Sequence, residues 1–316
     1  MLTLNRPKTN PRTIEPRSEV KAPELPEALL RRLELKVIKR LDGFLFGDYT
    51  GIFYGPSLDL AEIREYQPGD EVRRMDWNVT ARTGKLHVRQ YREEREITAW
   101  MVVDMSRSMT FGTRRVLKRE LALEFAGVLS SIITRHGDKI GCLGVNETGI
   151  KFVPPRTGRA QTLNILHQLS NLGQPVSTVQ VSHLDAALER VERTLKRRAL
   201  LFVVSDFMGA DSSWAEPLGR LAQRHDVIAV RITDPAEIEL PNVGGVRFRD
   251  PESGGEVWVD TSNPKTRAAH ASMVLSRNER IARAFRGAQI DALELSTHTE
   301  VIAPIMKFTL KRRGRR

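Results

Sequence analysis

The sequence holds a single cysteine, Cys142, in 316 residues. One thiol excludes an internal disulfide framework and fits a reducing compartment. Long apolar runs are also missing. The opening stretch MLTLNRPKTNPRTIEPRSEV has no apolar segment of signal-peptide length, and no window approaches the roughly 20 apolar residues of a membrane helix. The expectation is a soluble cytoplasmic protein, with peripheral contact at a membrane surface left open. Familiar catalytic spacings are absent too. No G-x-x-x-x-G-K-[ST] phosphate loop and no G-x-G-x-x-G fingerprint occurs. Ser106 and Ser108 lie in neither G-x-S-x-G nor S-x-x-K, and no two histidines stand in an H-x-x-x-H pair. There are no internal repeats.

Positive charge is in excess, at a formal +11, but it is concentrated at the ends. Residues 307–316, KFTLKRRGRR, carry six basic and no acidic side chains, and residues 1–23 carry five basic and two acidic ones. That leaves +2 for residues 24–306, so the body of the chain is near neutral. The basic ends read as solubilising tails, or as weak, screened contacts to nucleic acid or anionic lipid. The near-neutral body and the lack of basic residues interleaved with aromatics argue against a nucleic-acid-binding protein.

Hydrophobic residues make up 40% of the chain, enough for a substantial core. Four regions follow from the patterning. Residues 1–23 are polar and proline-bearing, a flexible arm. Residues 24–97 begin with PELPEALLRRLELKVIKRLDGF, whose leucines at 29, 30, 33 and 35 and apolar positions 37, 38 and 41 predict a helix ending near Gly43. A small, Gly-punctuated β module follows. Residues 98–298 alternate strands and helices: TAWMVVD, KIGCLGV, GIKFVPP, ALLFVVSDF, DVIAVRI and DALELST read as strands, with helical stretches between them. GGVRFRDPESGGEVWVDT, near 244–261, reads as a hairpin insertion. Residues 299–316 form a basic C-terminal segment. Strands apolar along their whole length, separated by helices, predict a doubly wound, mostly parallel α/β sheet covered on both faces.

In such sheets ligands gather beyond the carboxyl ends of the strands. AWMVVDMSRSMTFG places Asp104 at such an end, with Ser106 and Ser108 just after it. Asp206 ends a second apolar strand, and Ser182 opens a helix in VSHLDAAL. Two carboxylates and three hydroxyls form an all-oxygen set suited to a hard cation such as Mg²⁺. Neutral hydroxyl ligands leave the metal much of its charge, so that it attracts an outside carboxylate. The plainer alternatives are that Asp104 and its serines close a turn, and that Ser182 caps the helix starting at His183. Cys142 sits within a strand as a core thiol.

DMSRS after an apolar strand, with SDF after a later one, resembles the metal-ion-dependent adhesion site of von Willebrand factor A domains. The resemblance implies a divalent-cation site of Asp104, Ser106, Ser108, Ser182 and Asp206, with Ser182 standing where a Thr is usual. REYQPGDEVRRMDWNVTARTGKLHVRQYREERE, residues 64–96, resembles the signature of an uncharacterised bacterial family with an A-like domain, encoded beside MoxR-type AAA+ ATPases. VDTSNP and the basic C-terminus fit it as well, so the resemblance covers nearly the whole chain. Within the signature, Pro68-Gly69-Asp70 is a turn. Asp70, Arg74, Asp76, Arg82 and Arg89 belong to an ion-pair and capping lattice or to a partner-docking surface. Trp77 is expected to be buried, anchoring the module on the A domain.

The reading is a non-catalytic, metal-dependent adaptor that binds a client protein or a MoxR-type ATPase, with one Mg²⁺ or other divalent cation at the rim. Partner binding is expected to need both the cation and Asp104, and folding neither, because the aspartates are placed at a solvent-facing edge. A Mg²⁺-dependent hydrolase using the same carboxylates is the alternative, although the second metal or general base it requires is not evident. A nucleic-acid-binding role for the tails is the other.

Overall fold

The computed structural model describes residues 25–34, 62–70, 72, 75–90, 98–172, 184–208, 212–249 and 255–313. The continuation of the first helix to Gly43, Ser182, and Arg74 lie outside the described residues.

The apolar runs become a six-stranded sheet of β3 (Thr98–Asp104), β4 (Lys139–Asn146), β5 (Gly149–Arg156), β6 (Leu200–Ser205), β7 (Asp226–Thr233) and β10 (Asp291–Ser296). Their spatial order is β10-β7-β6-β3-β4-β5. All neighbours run parallel except β4 and β5, which form an antiparallel edge hairpin. Alternation within one strand feeds two cores. Ala99, Met101 and Val103 point to one face, against α1 (Pro26–Leu33), α3 (Lys118–Arg135), α4 (Arg159–Leu172) and α9 (Ile302–Arg313). Trp100 and Val102 point to the other, against α5 (Leu184–Thr194), α6 (Ala215–Arg224) and α8 (Pro264–Gly287). This is the doubly wound, mostly parallel sheet expected from the sequence. Trp100 lies flat over its β4 partner Gly141, where a Cβ would come within 2.6 Å of the ring. Cys142 is fully buried, and burial pushes its thiol up.

Helix α1 belongs to the first core. Leu29, Leu30 and Leu33 are buried there, each contributing on the order of 1.5–3 kcal/mol. Leu33 fits against Gly127 of α3, where a Cβ would stand 2.8 Å from the leucine methyl. The signature segment folds as β1 (Glu62–Glu65) paired antiparallel with β2 (His87–Gln90), with the short helix α2 (Trp77–Thr83) between them. The expected hairpin insertion is β8 (Gly245–Arg249) with β9 (Glu256–Asp260).

One expectation is corrected here. Residues 302–313 are not a free basic tail but helix α9, docked on the β7–β10 side of the sheet. Val301, Ile302 and Ile305 enter the first core, and Arg312, 5% exposed, donates to Asp226 at 2.6 and 2.7 Å and pairs with Asp291. Counting charge over the last ten residues hides apolar positions spaced at helical intervals just before them, and an arginine whose partners begin two separate strands, β7 and β10.

Candidate functional site

Asp104 and Asp206 stand at the same end of the sheet, on the neighbouring strand ends of β3 and β6. That end is built by three tight hydrogen-bonded turns. In the first, Asp104 accepts from the Ser106 N–H at 2.9 Å and from the Ser205 hydroxyl at 2.7 Å. Ser106 Oγ and Ser108 Oγ lie 3.2 Å apart. Glu147, at the tip of the β4–β5 hairpin, accepts from the Arg107 N–H at 2.5 Å, so the DMSRS loop is clamped from the next strand. Asp104 is only 3% exposed, and Ser106 is buried as well. The solvent-facing edge expected for the aspartates is therefore wrong: the loop and its clamps fold over the strand end. Burial and the nearby Asp206 carboxylate push Asp104 up to about 6, against the pull of the hydrogen bonds from Ser106 and Ser205.

The second turn follows β6. Phe207, directly after Asp206, adopts a left-handed φ of 55°, which is strained for a residue with a Cβ. Its ring is held edge-on against Trp214 at 4.9 Å and Phe285 at 5.1 Å. The burial of three aromatic rings fixes the turn that aims Asp206 at the rim. Ser205 both donates to Asp104 and accepts from the Phe207 N–H at 3.0 Å, tying the two turns together.

The third turn supplies residues that the sequence reading did not select. Lys118, the first residue of α3, is fully buried. Its ammonium donates to Asp206 at 2.7 Å and to Glu237 at 2.5 Å, and stands 5.9 Å above the Phe111 ring. Burial opposes the charge on Lys118, but Asp206 and Glu237 more than offset it and hold the ammonium above its ordinary range. Glu237 lies in the one-turn helix α7 (Pro235–Ile238) after β7, and its second oxygen accepts from the Asp234 N–H at 3.1 Å. Burial raises Glu237, against the lowering effect of Lys118. Asp234 accepts from the Thr113 N–H and hydroxyl, from the Ala236 N–H and from Thr297. Burial works against its charge, yet these donors hold its carboxyl below the ordinary range. A lysine opening an amphipathic helix carries no sequence signal of such a role, since most are solvated.

The signature residues divide. Asp70 accepts two bonds from Arg64, at 2.8 and 2.6 Å, and one from the Gln67 N–H at 2.8 Å. Asp76 is buried and caps α2, accepting from the N–H groups of Asn78 and Val79. Arg82 is exposed on α2, and Arg89 sits in β2 opposite Ile63. Trp77 is 63% exposed, which corrects the expectation of a buried anchor. It occupies the first turn of a helix with no buried residue. Asp260 and Asn263 of VDTSNP close a turn and cap α8.

A family model described as "Protein of unknown function DUF58" matches residues 62–280. The chain belongs to this family. A relative from Mycobacterium tuberculosis, the uncharacterized protein Rv1480, is 39% identical over 297 residues, 94% of this chain and 92% of its own length. A shorter one from Mycobacterium avium is 31% identical over 163 residues, 51% of this chain and 94% of its own length. Among solved structures, BatB from Bacteroides thetaiotaomicron is similar with a TM-score of 0.43 at 14% identity, covering 69% of this chain and 99% of that one. The SpRpn10 VWA domain is similar with a TM-score of 0.38 at 7% identity, covering 67% and 93%. At these scores the likeness carries no argument, and the architecture stands on the sheet topology above. No described helix is long and apolar enough to cross a membrane.

The oxygen set can be tested against a divalent cation directly. Adjacent ligands on an octahedral Mg²⁺ with bonds of roughly 2.1 Å stand about 3.0 Å apart. The Ser106–Ser108 hydroxyl pair, at 3.2 Å, matches that edge. Asp104, buried behind it, supplies the negative charge. Among the described residues no three His, Cys, Asp or Glu side chains converge as a metal cluster, so any cation here depends on the hydroxyls. The hydroxyl pair stands at ligand spacing, while Asp206 already holds an ammonium.

Proposed function

We propose that this chain is a non-catalytic adaptor whose rim of Asp104, Ser106, Ser108 and Asp206 holds a divalent cation and recognises an acidic group on a partner. The partners we propose are a MoxR-type AAA+ ATPase and a client protein whose maturation or assembly the ATPase drives. The observation that carries this reading is the hydroxyl pair at ligand spacing over a buried carboxylate. When bound, the cation supplies a positive field where the Asp104 carboxylate would otherwise repel an acidic group. Ser106 and Ser108 add no charge of their own, so they would leave that field strong. Asp104 is fixed by Ser106 and Ser205 before any ligand arrives, which removes an ordering penalty from binding. The ATPase as partner rests on the resemblance of residues 64–96 to a family encoded beside such enzymes.

The test is affinity capture with the full-length chain from its own host, in Mg²⁺ and in chelator. An AAA+ ATPase retained in Mg²⁺ and released by chelator is the expected result. Equal capture in both buffers would remove the cation from recognition. Phosphoesterase turnover lost in Asp104→Ala would replace the adaptor with a hydrolase.

A further inference from the structure

Lys118 is unused in that account, yet it is a fully buried charge at the rim. It sits on Asp206, one of the proposed ligands, and its second partner is Glu237. The two acceptors differ in setting. Asp206 follows β6 on a turn held by the Phe207 aromatic cluster and lies near Asp104. Glu237 is anchored on the far side by the Asp234 N–H, and Asp234 is in turn pinned by Thr113 and Thr297. One cationic group thus bridges a carboxylate that belongs to the candidate site and a second carboxylate with its own anchor.

We propose that Lys118 and the divalent cation compete for Asp206, and that Glu237 is the acceptor that keeps Lys118 paired when Asp206 is released. This rests on the reading of the rim as a cation site. The argument is one of compensation. A buried ammonium cannot be left without a partner, because the penalty for an uncompensated buried charge is large. A cation arriving at Asp206 would therefore be refused if Lys118 had no second carboxylate. With Glu237 fixed in place, the lysine keeps a charge-assisted hydrogen bond in both states, and the exchange becomes a change of pairing. Without cation, the rim is closed by the ammonium and Asp206 is neutralised. With cation, Asp206 is free to serve the rim. Recognition through this site is then conditional on divalent-cation concentration, because the internal competitor sets the threshold.

The experiment is Mn²⁺ titration of the full chain, followed by the electron paramagnetic resonance signal of free Mn²⁺, with melting midpoints recorded with and without the ion. Lys118→Met is expected to tighten Mn²⁺ binding by about tenfold or more, and Glu237→Gln to weaken it by a similar factor. A through-space charge effect predicts the same signs, so the double variant decides. Under exchange, Glu237→Gln has no effect on Mn²⁺ affinity once Lys118→Met is present, since no lysine needs parking. Under simple charge attraction it weakens binding equally in both backgrounds, which would overturn the proposal. If Lys118→Met is too unstable without metal to titrate, Mn²⁺ should raise its midpoint more than that of the wild type. Glu237→Gln, which keeps the Lys118–Asp206 pair, remains a test by itself, and unchanged affinity there would overturn the exchange. Binding by the wild type with no change in Lys118→Met would sink the exchange and leave the cation reading standing. No binding by any variant would sink both.

Discussion

Arg64 donates to Asp70 at 2.6 and 2.8 Å, and Lys118 donates to Asp206 at 2.7 Å. On distance the two pairs are alike. The first stands at the surface of the signature module, with side chains 31% and 21% exposed, and the second is sealed at the sheet end at 1% and 3%. Water screens the first pair, and either partner can be solvated if the other is lost. The second has no such refuge, so its value lies in what happens when one half is removed. The sequence advertises these regions in the opposite order. The module around Asp70 carries the more specific motif, while Lys118 carries none.

The largest effect expected from this contrast is in Lys118→Met. In metal-free buffer it leaves Asp206 and Glu237 as buried carboxylates without their cation, and unfolding free energy should fall by about 3–5 kcal/mol. Denaturant unfolding measures it, and a loss under about 1 kcal/mol would mean the rim is wetter than its burial indicates.

Asp104→Asn comes next and has the opposite sign. Asp104 is raised from the ordinary carboxylate range to about 6 in the folded state. The native chain therefore holds this proton more tightly than the unfolded chain, and stability is lost as pH rises from about 4 through about 6. Asparagine is free of that loss. In chelator at pH 7.5 the variant should be more stable than the wild type by about 3 kcal/mol, and the gap should nearly close at pH 4. Denaturation curves at the two pH values check it. A destabilised variant at pH 7.5 would show that the charge on Asp104 is needed by the fold.

Much of the architecture was legible because the four central strands, β3, β4, β6 and β7, are buried on both faces and so read as apolar runs. Asp104 and Asp206 could be placed on one rim by the rule that parallel strands end together. The rest was hidden for definite reasons. Lys118 and Glu237 are ordinary residues near helix starts, and only the return of the chain through β6 and β7 brings them to Asp206. Arg312 lay within a run of basic residues that matched a solvated tail, and its partners Asp226 and Asp291 begin two separate strands. Trp77 is not legible in this way: a segment with too few apolar residues for its own core suggests a tryptophan anchored on the A domain, whereas the ring is exposed.

Smaller effects sharpen the surface half of the comparison. Asp70→Ala removes both Arg64 bonds and the Gln67 turn bond at an exposed site, and the thermal midpoint should stay close to that of the wild type. A drop as large as that of Lys118→Met would place the module inside the cooperative core. Trp77→Ala should leave the melt unchanged, because the ring is already in solvent. Loss of ATPase capture in that variant with an unchanged melt would assign the ring to a docking surface.

The central claim is that the rim recognises its partner through a divalent cation held on the Ser106–Ser108 hydroxyls. Calorimetric titration of the purified cognate AAA+ ATPase into the full chain tests this most directly, in Mg²⁺ and in chelator, for the wild type and for Ser106→Ala/Ser108→Ala. The account predicts binding by the wild type in Mg²⁺ alone, and none by the double variant despite a wild-type melt. Equal affinity in chelator, or an undiminished affinity in the double variant, would contradict it and move recognition to the arginine-rich segment of residues 64–96.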